Sequence, residues 1–190
     1  MTSKIDVRQI VLDHFRTLRR HGKKRAAPGD VTLFYILPLV VVLALVLGLG
    51  LRVSESLANA LFTGVAIFAG LLFNVQLLVY DNIRHIRFTE DELPAVTDLR
   101  RKRFKELYSN VSYAILVCLL IMVLVLLFNF TFEGGWLKGV RHRLEGWLDP
   151  ITVGVQFLVL AVAAHFVLTM FMVLKRVHLL LSKEMAESGG

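Results

Sequence analysis

The chain has 190 residues, of which 56% are hydrophobic and only 19% charged, with a mean hydropathy of +0.64. A soluble domain of this size carries more charge and alternates polar with apolar faces, so composition excludes a water-soluble fold and leaves no room for a large separate soluble domain. The formal net charge of +7 comes without a nucleic-acid-binding motif, so it speaks for membrane topology and lipid headgroups rather than direct nucleic-acid binding.

Four apolar runs divide the chain, at about Thr32–Leu51, Ala58–Tyr80, Val111–Phe130 and Ile151–Leu174. Each is long enough for a helix to cross a hydrocarbon layer of about 30 Å. Backbone polar groups inside that layer must pair within their own segment. The expected fold class is therefore an all-α membrane protein with four transmembrane helices. Lys and Arg number eight in 1–31, one in 52–57, seven in 81–110, three in 131–150 and three in 175–190. Short loops rich in basic residues stay cytoplasmic, which puts both termini and the middle loop inside. The expected organisation is a leader over 1–30, a transmembrane domain over 31–174 and a cytoplasmic tail over 175–190.

Residues 3–21 predict an amphipathic helix lying on the cytoplasmic membrane face. Ser3 caps it, Gly22 ends it, and Val7, Ile10, Val11, His14 and Leu18 share one stripe. Arg16, Arg19 and Arg20, followed by Lys23, Lys24 and Arg25, suit anionic headgroups. The plainer alternative is a basic leader that only fixes topology. Pro38 is expected to kink or start the first span. Ala58-Asn59-Ala60 has the shape of a signal-peptidase site, but the leader and the run before it are too long for a signal peptide, so a retained span is expected.

In the second run, Asn59, Thr63, Ala66, Gly70, Asn74 and Asp81 recur on one side of a helix, and Ala60/Gly64 and Ala66/Gly70 are small-xxx-small pairs. Such a stripe either lines a narrow aqueous path or packs helices and protomers together. Gln76 points elsewhere, toward a second interface or a water-filled cavity. Helical spacing continues past the membrane through Ile83 and Ile86. Thr89 to Glu92 reads as a capping box, with Pro94 in the first turn of a new helix. Arg100, Arg101, Lys102 and Arg103 then lead in helical form into the third run. These cytoplasmic helical extensions over 81–110 are the best candidate for a partner-binding surface.

The third run is polar only at its entrance, at Ser109, Asn110, Ser112 and Tyr113, and is apolar from Ala114 to Phe128 apart from Cys118. It is expected to be either the most lipid-exposed helix or a hydrophobic constriction. Cys118, the single cysteine, reads as a small buried hydrophobe. In 131–150, Trp136, Leu137, Val140, Leu144, Trp147 and Leu148 follow helical spacing after Gly134 and Gly135. They predict a short outer interfacial helix over 134–148, closed by Asp149-Pro150 and anchored by Trp136 and Trp147. In the fourth run, Gly154, Leu158, Ala161, His165, Leu168 and Met172 share a face. Gly154 and Ala161 favour close helix contact, so His165 should point into a bundle. Its imidazole serves as a proton-sensitive or pore-lining group, or as interhelical packing glue.

Metal-protease, nucleophile-elbow and Cys-x-x-Cys motifs are absent, and no internal repeat supports an inverted-repeat transporter. Neither enzymatic activity nor a cofactor is expected. In architecture, and in the segments Gly70-Leu71-Leu72-Phe73-Asn74 and Glu106-Leu107-Tyr108-Ser109-Asn110-Val111-Ser112-Tyr113, the chain resembles the small four-span membrane proteins of bacterial anti-phage defence systems, the KwaA-like subunits of Kiwa systems. The resemblance covers most of the chain without a diagnostic motif and transfers no functional residue. It implies a homo-oligomeric sensor or effector in the bacterial inner membrane that works with a soluble cytoplasmic protein and couples a membrane event to that partner or to leakage. A membrane anchor that recruits a soluble partner, and a small channel or transporter subunit, are the alternatives.

Overall fold

The structure, a computed structural model, describes residues 7–17, 32–85, 94–129 and 138–188. Every element among them is helical: α1 (Val7–Thr17), α2 (Leu37–Gly48), α3 (Glu55–His85), α4 (Pro94–Phe128) and α5 (Lys138–Ser188). Three stretches, Glu55–Arg84, Asp98–Phe128 and Val153–Ser182, are long and apolar enough to cross a membrane. The first apolar run is shorter and irregular, with a π-helical turn over Thr32–Ile36 leading into α2. Pro38 sits in the first turn of α2. A proline there offers no N–H, and its ring crowds the carbonyl four residues back. Widening the preceding turn relieves that crowding. Pro38 therefore starts the helix, as one of its two expected roles required.

The turn from α2 to α3 is built from local chemistry. Gly50 takes φ +62°, a left-handed conformation that glycine adopts without strain. It lets the Leu51 N–H reach back to the Leu45 carbonyl at 3.2 Å, closing the helix end. Ser54 then caps α3, its Oγ accepting from the Leu57 N–H at 3.2 Å.

α4 is the centre of the bundle, with α1, α3 and α5 packed on it and α2 packed on α5. Its buried positions Phe104, Leu107, Val111, Ala114, Cys118, Ile121 and Val125 alternate strides of three and four. On α3 the buried positions Ala58, Val65, Leu72 and Val79 are each seven apart. Both rows form the apolar seam of helices that cross at a shallow left-handed angle. This overturns the expectation that the third run is the most lipid-exposed helix. α4 is the most apolar of the three long helices, with a mean hydropathy of 3.1 over its best window, and it is also the most buried. A hydropathic helix is equally at home in lipid or in protein, so hydropathy alone does not choose between them. Cys118 is buried, as expected.

The polar stripe of α3, at Thr63, Gly70, Asn74 and Asp81, lies on the exposed side of the helix. One further expectation is corrected. The predicted interfacial helix over 134–148 and the fourth span are not separated at Asp149-Pro150, because one helix runs unbroken from Lys138 to Ser188. Proline disfavours a helix interior by about 3 kcal/mol but does not forbid it, so a long helix can run through one. The side chains of Trp136 and Trp147 lie outside the described residues, as do those of Arg16, Arg19, Arg20, Lys23, Lys24 and Arg25.

Truncating Ile121, which is 0% exposed, to alanine should cost about 2–4 kcal/mol. The same change at Leu126, 57% exposed, should cost well under half of that. Unfolding of the two variants in micelles, followed by circular dichroism, measures the difference.

Candidate functional site

Of the buried polar residues among those described, His14 and Asn110 meet where α1 packs on α4, with Thr169 on α5 nearby, whereas Gln156 lies toward the other end of α5. α1 forms because Val7, Ile10, Val11 and His14 repeat at helical spacing. Ile10 and Val11 pack against the core, and His14 is 2% exposed. The helix and its stripe form as expected, but the stripe packs on α4 instead of lying on a lipid surface. Ser3 and Leu18 of the expected helix lie outside the described residues.

His14 carries the contact. Its Nδ1 lies 2.9 Å from Oδ1 of Asn110, a residue with no exposed surface. The Asn110 amide is oriented from its other end, where Nδ2 donates to the Glu106 carbonyl at 2.7 Å. Oδ1 can only accept, so His14 donates through Nδ1. Thr17 Oγ1 lies 2.8 Å from the same Oδ1 and 2.7 Å from the His14 carbonyl. The imidazole also stacks on Tyr113, with ring centroids 3.8 Å apart and planes 6° from parallel. One turn further out, Arg176 of α5 donates to the Thr17 carbonyl at 2.9 Å and pairs with Glu106 at 3.4 Å. The guanidinium thereby closes the C-terminal end of α1, where a cation is favoured by the helix dipole.

Tyr113 passes the cluster on to α5. Its hydroxyl lies 2.9 Å from His165 Nε2, and the Tyr35 ring lies over His165 at 4.9 Å. Phe15 of α1 in turn stacks on Tyr35 at 5.2 Å. His165 therefore lies inside the bundle, half-buried between aromatic neighbours, in the orientation expected from its helix face. Thr169 Oγ1 donates to the His165 carbonyl at 2.9 Å and is fully buried.

The other sequence candidates are dispersed. Gln76 points into the α3–α4 interface and donates to Ser112 Oγ at 3.1 Å. Asn74 and Thr63 are exposed on α3, whereas Asn59 at its start accepts from Nδ2 of Asn129, just past the end of α4, at 3.4 Å. A methyl group built onto Gly64, Gly70 or Gly154 would meet nothing within 4 Å among the described residues, so these glycines make no close helix contact there; Ala161 is buried. Arg100, Arg101 and Arg103 are half-buried along α4, and Lys102 is exposed. Among the described residues no three His, Cys, Asp or Glu side chains come together as metal ligands would.

Residue spacing pointed to His165 but not to its partners. Asn110, Tyr113, Thr17, Tyr35 and Arg176 come from four elements. The available signal was the run of polar side chains at the entrance of the third apolar run, beside a histidine on an apolar stripe. Compared with protein-family models, curated proteins and solved structures, the chain matches none of them.

The geometry fixes a pH response. Burial pulls the His14 pKa down from 6.5 to about 4, opposed by the bond to Asn110 and assisted by the positive charges of His165 and Arg176. Undocked, the ring regains its ordinary value. The undocked state therefore binds the extra proton between pH 6.5 and 4. Docking of α1 is at full strength above about pH 6.5 and weakens as pH falls toward 4, by up to about 1.4 kcal/mol per unit. A distance measurement between spin labels at Leu12 and Leu99 should show α1 leaving α4 over that window, and His14→Gln should flatten the response.

Proposed function

We propose that the chain is a homo-oligomeric sensor or effector subunit of the bacterial inner membrane, belonging to an anti-phage defence system. In this reading it crosses the bilayer four times with both termini in the cytoplasm. It couples a membrane event to a soluble cytoplasmic partner or to ion leakage.

The observation that carries the reading is the way α1 is held. Its docking needs Asn110 and Tyr113 of α4 and Arg176 of α5 in register with one another. A shift of α5 along α4 would separate Arg176 from Glu106 and remove the cation from the end of α1. Small displacements between packed helices are converted into discrete changes because packed interfaces are bistable. The leader is then a reporter of bundle packing that a cytoplasmic partner can read. An anchor would need no such dependence of its leader on two separate spans.

Four crossings are supported by the level at which the first run begins. Tyr35 lies beside His165, and the helix from Tyr35 to Gly48 rises about 20 Å from that level. Oligomerisation is supported by the exposed face of α3. Asn74 and Thr63 sit on it among Ile67, Leu71, Phe73 and Leu78, each more than half exposed. An amide facing hydrocarbon is costly, and a second copy brings an identical donor–acceptor pair to the same depth.

Mass measurement of the detergent-solubilised protein tests the assembly, and reconstituted liposomes test leakage. Asn74→Leu should raise the dissociation constant of the oligomer roughly 3- to 30-fold, matching interhelical bonds of about 0.6–2 kcal/mol. His165→Leu should leave the mass unchanged while abolishing defence in cells, because Tyr113 loses its partner. Full defence by both variants would leave an anchor as the surviving role, and background flux from activated protein would remove the leakage branch.

A further inference from the structure

Of the three long helices, α3 buries the smallest share of its apolar stretch. Its packed row, Ala58, Val65, Leu72 and Val79, is turned toward α4. The opposite side carries a second row with the rhythm of a helix seam. Thr63, Ile67, Gly70, Asn74, Leu77 and Asp81 alternate strides of four and three, and all six are exposed. A face that met only lipid would gain nothing from a hydroxyl, a glycine and an amide at these depths.

The charged end of this row decides what it fits. Gln76 donates to Ser112 and Asn129 donates to Asn59, so α3 and α4 run antiparallel and Asp81 is about level with Leu107. That is the polar end of the bundle, where Glu106 pairs with Arg176 inside the chain. Asp81 and Arg84 are exposed at the same end, and neither is bonded to another described residue. Their spacing would allow a pair within one helix, yet they do not make it.

Copies of one chain enter a bilayer in the same orientation, so their α3 helices run parallel and equal residues meet at equal depth. A row that ended in Asp81 alone would set two carboxylates against each other. Arg84, one turn further and about 60° around the helix, removes that conflict. Each guanidinium comes beside the carboxylate of the neighbouring copy. Opposite charges one turn apart make the end of the row self-complementary, whereas an anionic headgroup would be met by bases alone. At the edge of the hydrocarbon such a pair is also less screened than on an open surface.

We propose that the exposed row of α3 docks on the same row of a second copy and is locked at its charged end by reciprocal Asp81–Arg84 ion pairs. Asn74 supplies the bond within the apolar stretch, and the ion pairs fix the register. The lock presupposes the homo-oligomer proposed above and adds its contact surface and its charge pairing.

Charge reversal in the full chain, with the dissociation constant of the oligomer measured in micelles by sedimentation, tests it. Asp81→Arg and Arg84→Asp each place like charges across the interface and should raise that constant roughly tenfold or more. The double reversal restores opposite charges and should return it to within about threefold of wild type. Glu55→Arg, at an exposed acid on the other end of α3, should leave it unchanged. Circular dichroism confirms that each variant is folded. Disulfide cross-linking in oxidised membranes gives a second readout. Leu77→Cys should join two copies, Leu119→Cys on the exposed side of α4 should not, and the buried Cys118 stays silent. A wild type that is monomeric in micelles and does not cross-link removes the oligomer itself, and the lock with it. An oligomer that ignores both reversals overturns the lock and leaves the oligomer standing. Reversals that weaken assembly without recovery in the double variant overturn the reciprocal pairing. Cross-linking through Leu119→Cys and not through Leu77→Cys overturns the α3 row.

Discussion

A buried amide must be paired, and in this protein the pairing of Asn110 organises everything around it. Asn110 has no exposed surface and sits at the edge of the apolar stretch of α4. Its Nδ2 is satisfied by the preceding turn of its own helix, but its Oδ1 depends on His14 and Thr17 of α1. Removing α1 would leave that oxygen without either donor, at a cost of about 1–3 kcal/mol. An apolar helix laid on the same surface could slide or rotate with little penalty. A single polar residue within an apolar seam fixes register instead, as buried asparagines do in coiled coils. The docking of α1 is thus specified by two side chains rather than by area.

The same logic explains which parts of the architecture were legible in the amino-acid order. Lengths of apolar runs follow from bilayer thickness, so α3, α4 and the apolar part of α5 could be marked out directly. Which face of a helix meets protein does not follow, because lipid tails and a protein interior are equally apolar. The seam of α3 is carried by Ala58, Val65, Leu72 and Val79, residues that would suit lipid just as well. The conspicuous polar stripe beside it drew attention and turned out to lie on the other side. His165 was legible because an imidazole within an apolar run is expensive anywhere but inside a bundle. Its partner Tyr113 is 52 residues away, and nothing in local spacing announces that pairing. The helix boundary at Pro150 failed for a physical reason too. Proline disfavours a helix interior by about 3 kcal/mol, a cost that the rest of a 51-residue helix can outweigh.

α4 connects surfaces that otherwise have no contact. Through Ser112 it is bonded to Gln76 of α3, and through Asn110 and Tyr113 to α1. Ser112 is itself held by the Tyr108 carbonyl at 2.8 Å and lines a cavity beside α1. The outer face of α3, where the proposed oligomer forms, and the cavity beside α1 are therefore separated by a single helix. A rotation of α4 about its axis would alter the Gln76 bond and the His14 stack together, because both depend on the same turns of backbone.

The geometry also constrains what kind of assembly the α3 face can build. An asparagine amide offers both a donor and an acceptor, so identical copies satisfy one another either across a two-fold axis or around a closed ring. Gly70, one turn from Asn74 and open to its surroundings, removes the bulk that would hold two such helices apart. Phe73 and Leu71, 55% and 56% exposed, flank the amide and would shield the bond from competing polar groups once the helices met. A ring places that shielded row at its inner circumference only if α3 faces the axis. α1 and the cavity, on the opposite side of α4, then lie at the periphery. In such an arrangement the helix that lines the centre and the docked α1 are different elements, and α4 is bonded to both, through Ser112 and through Asn110.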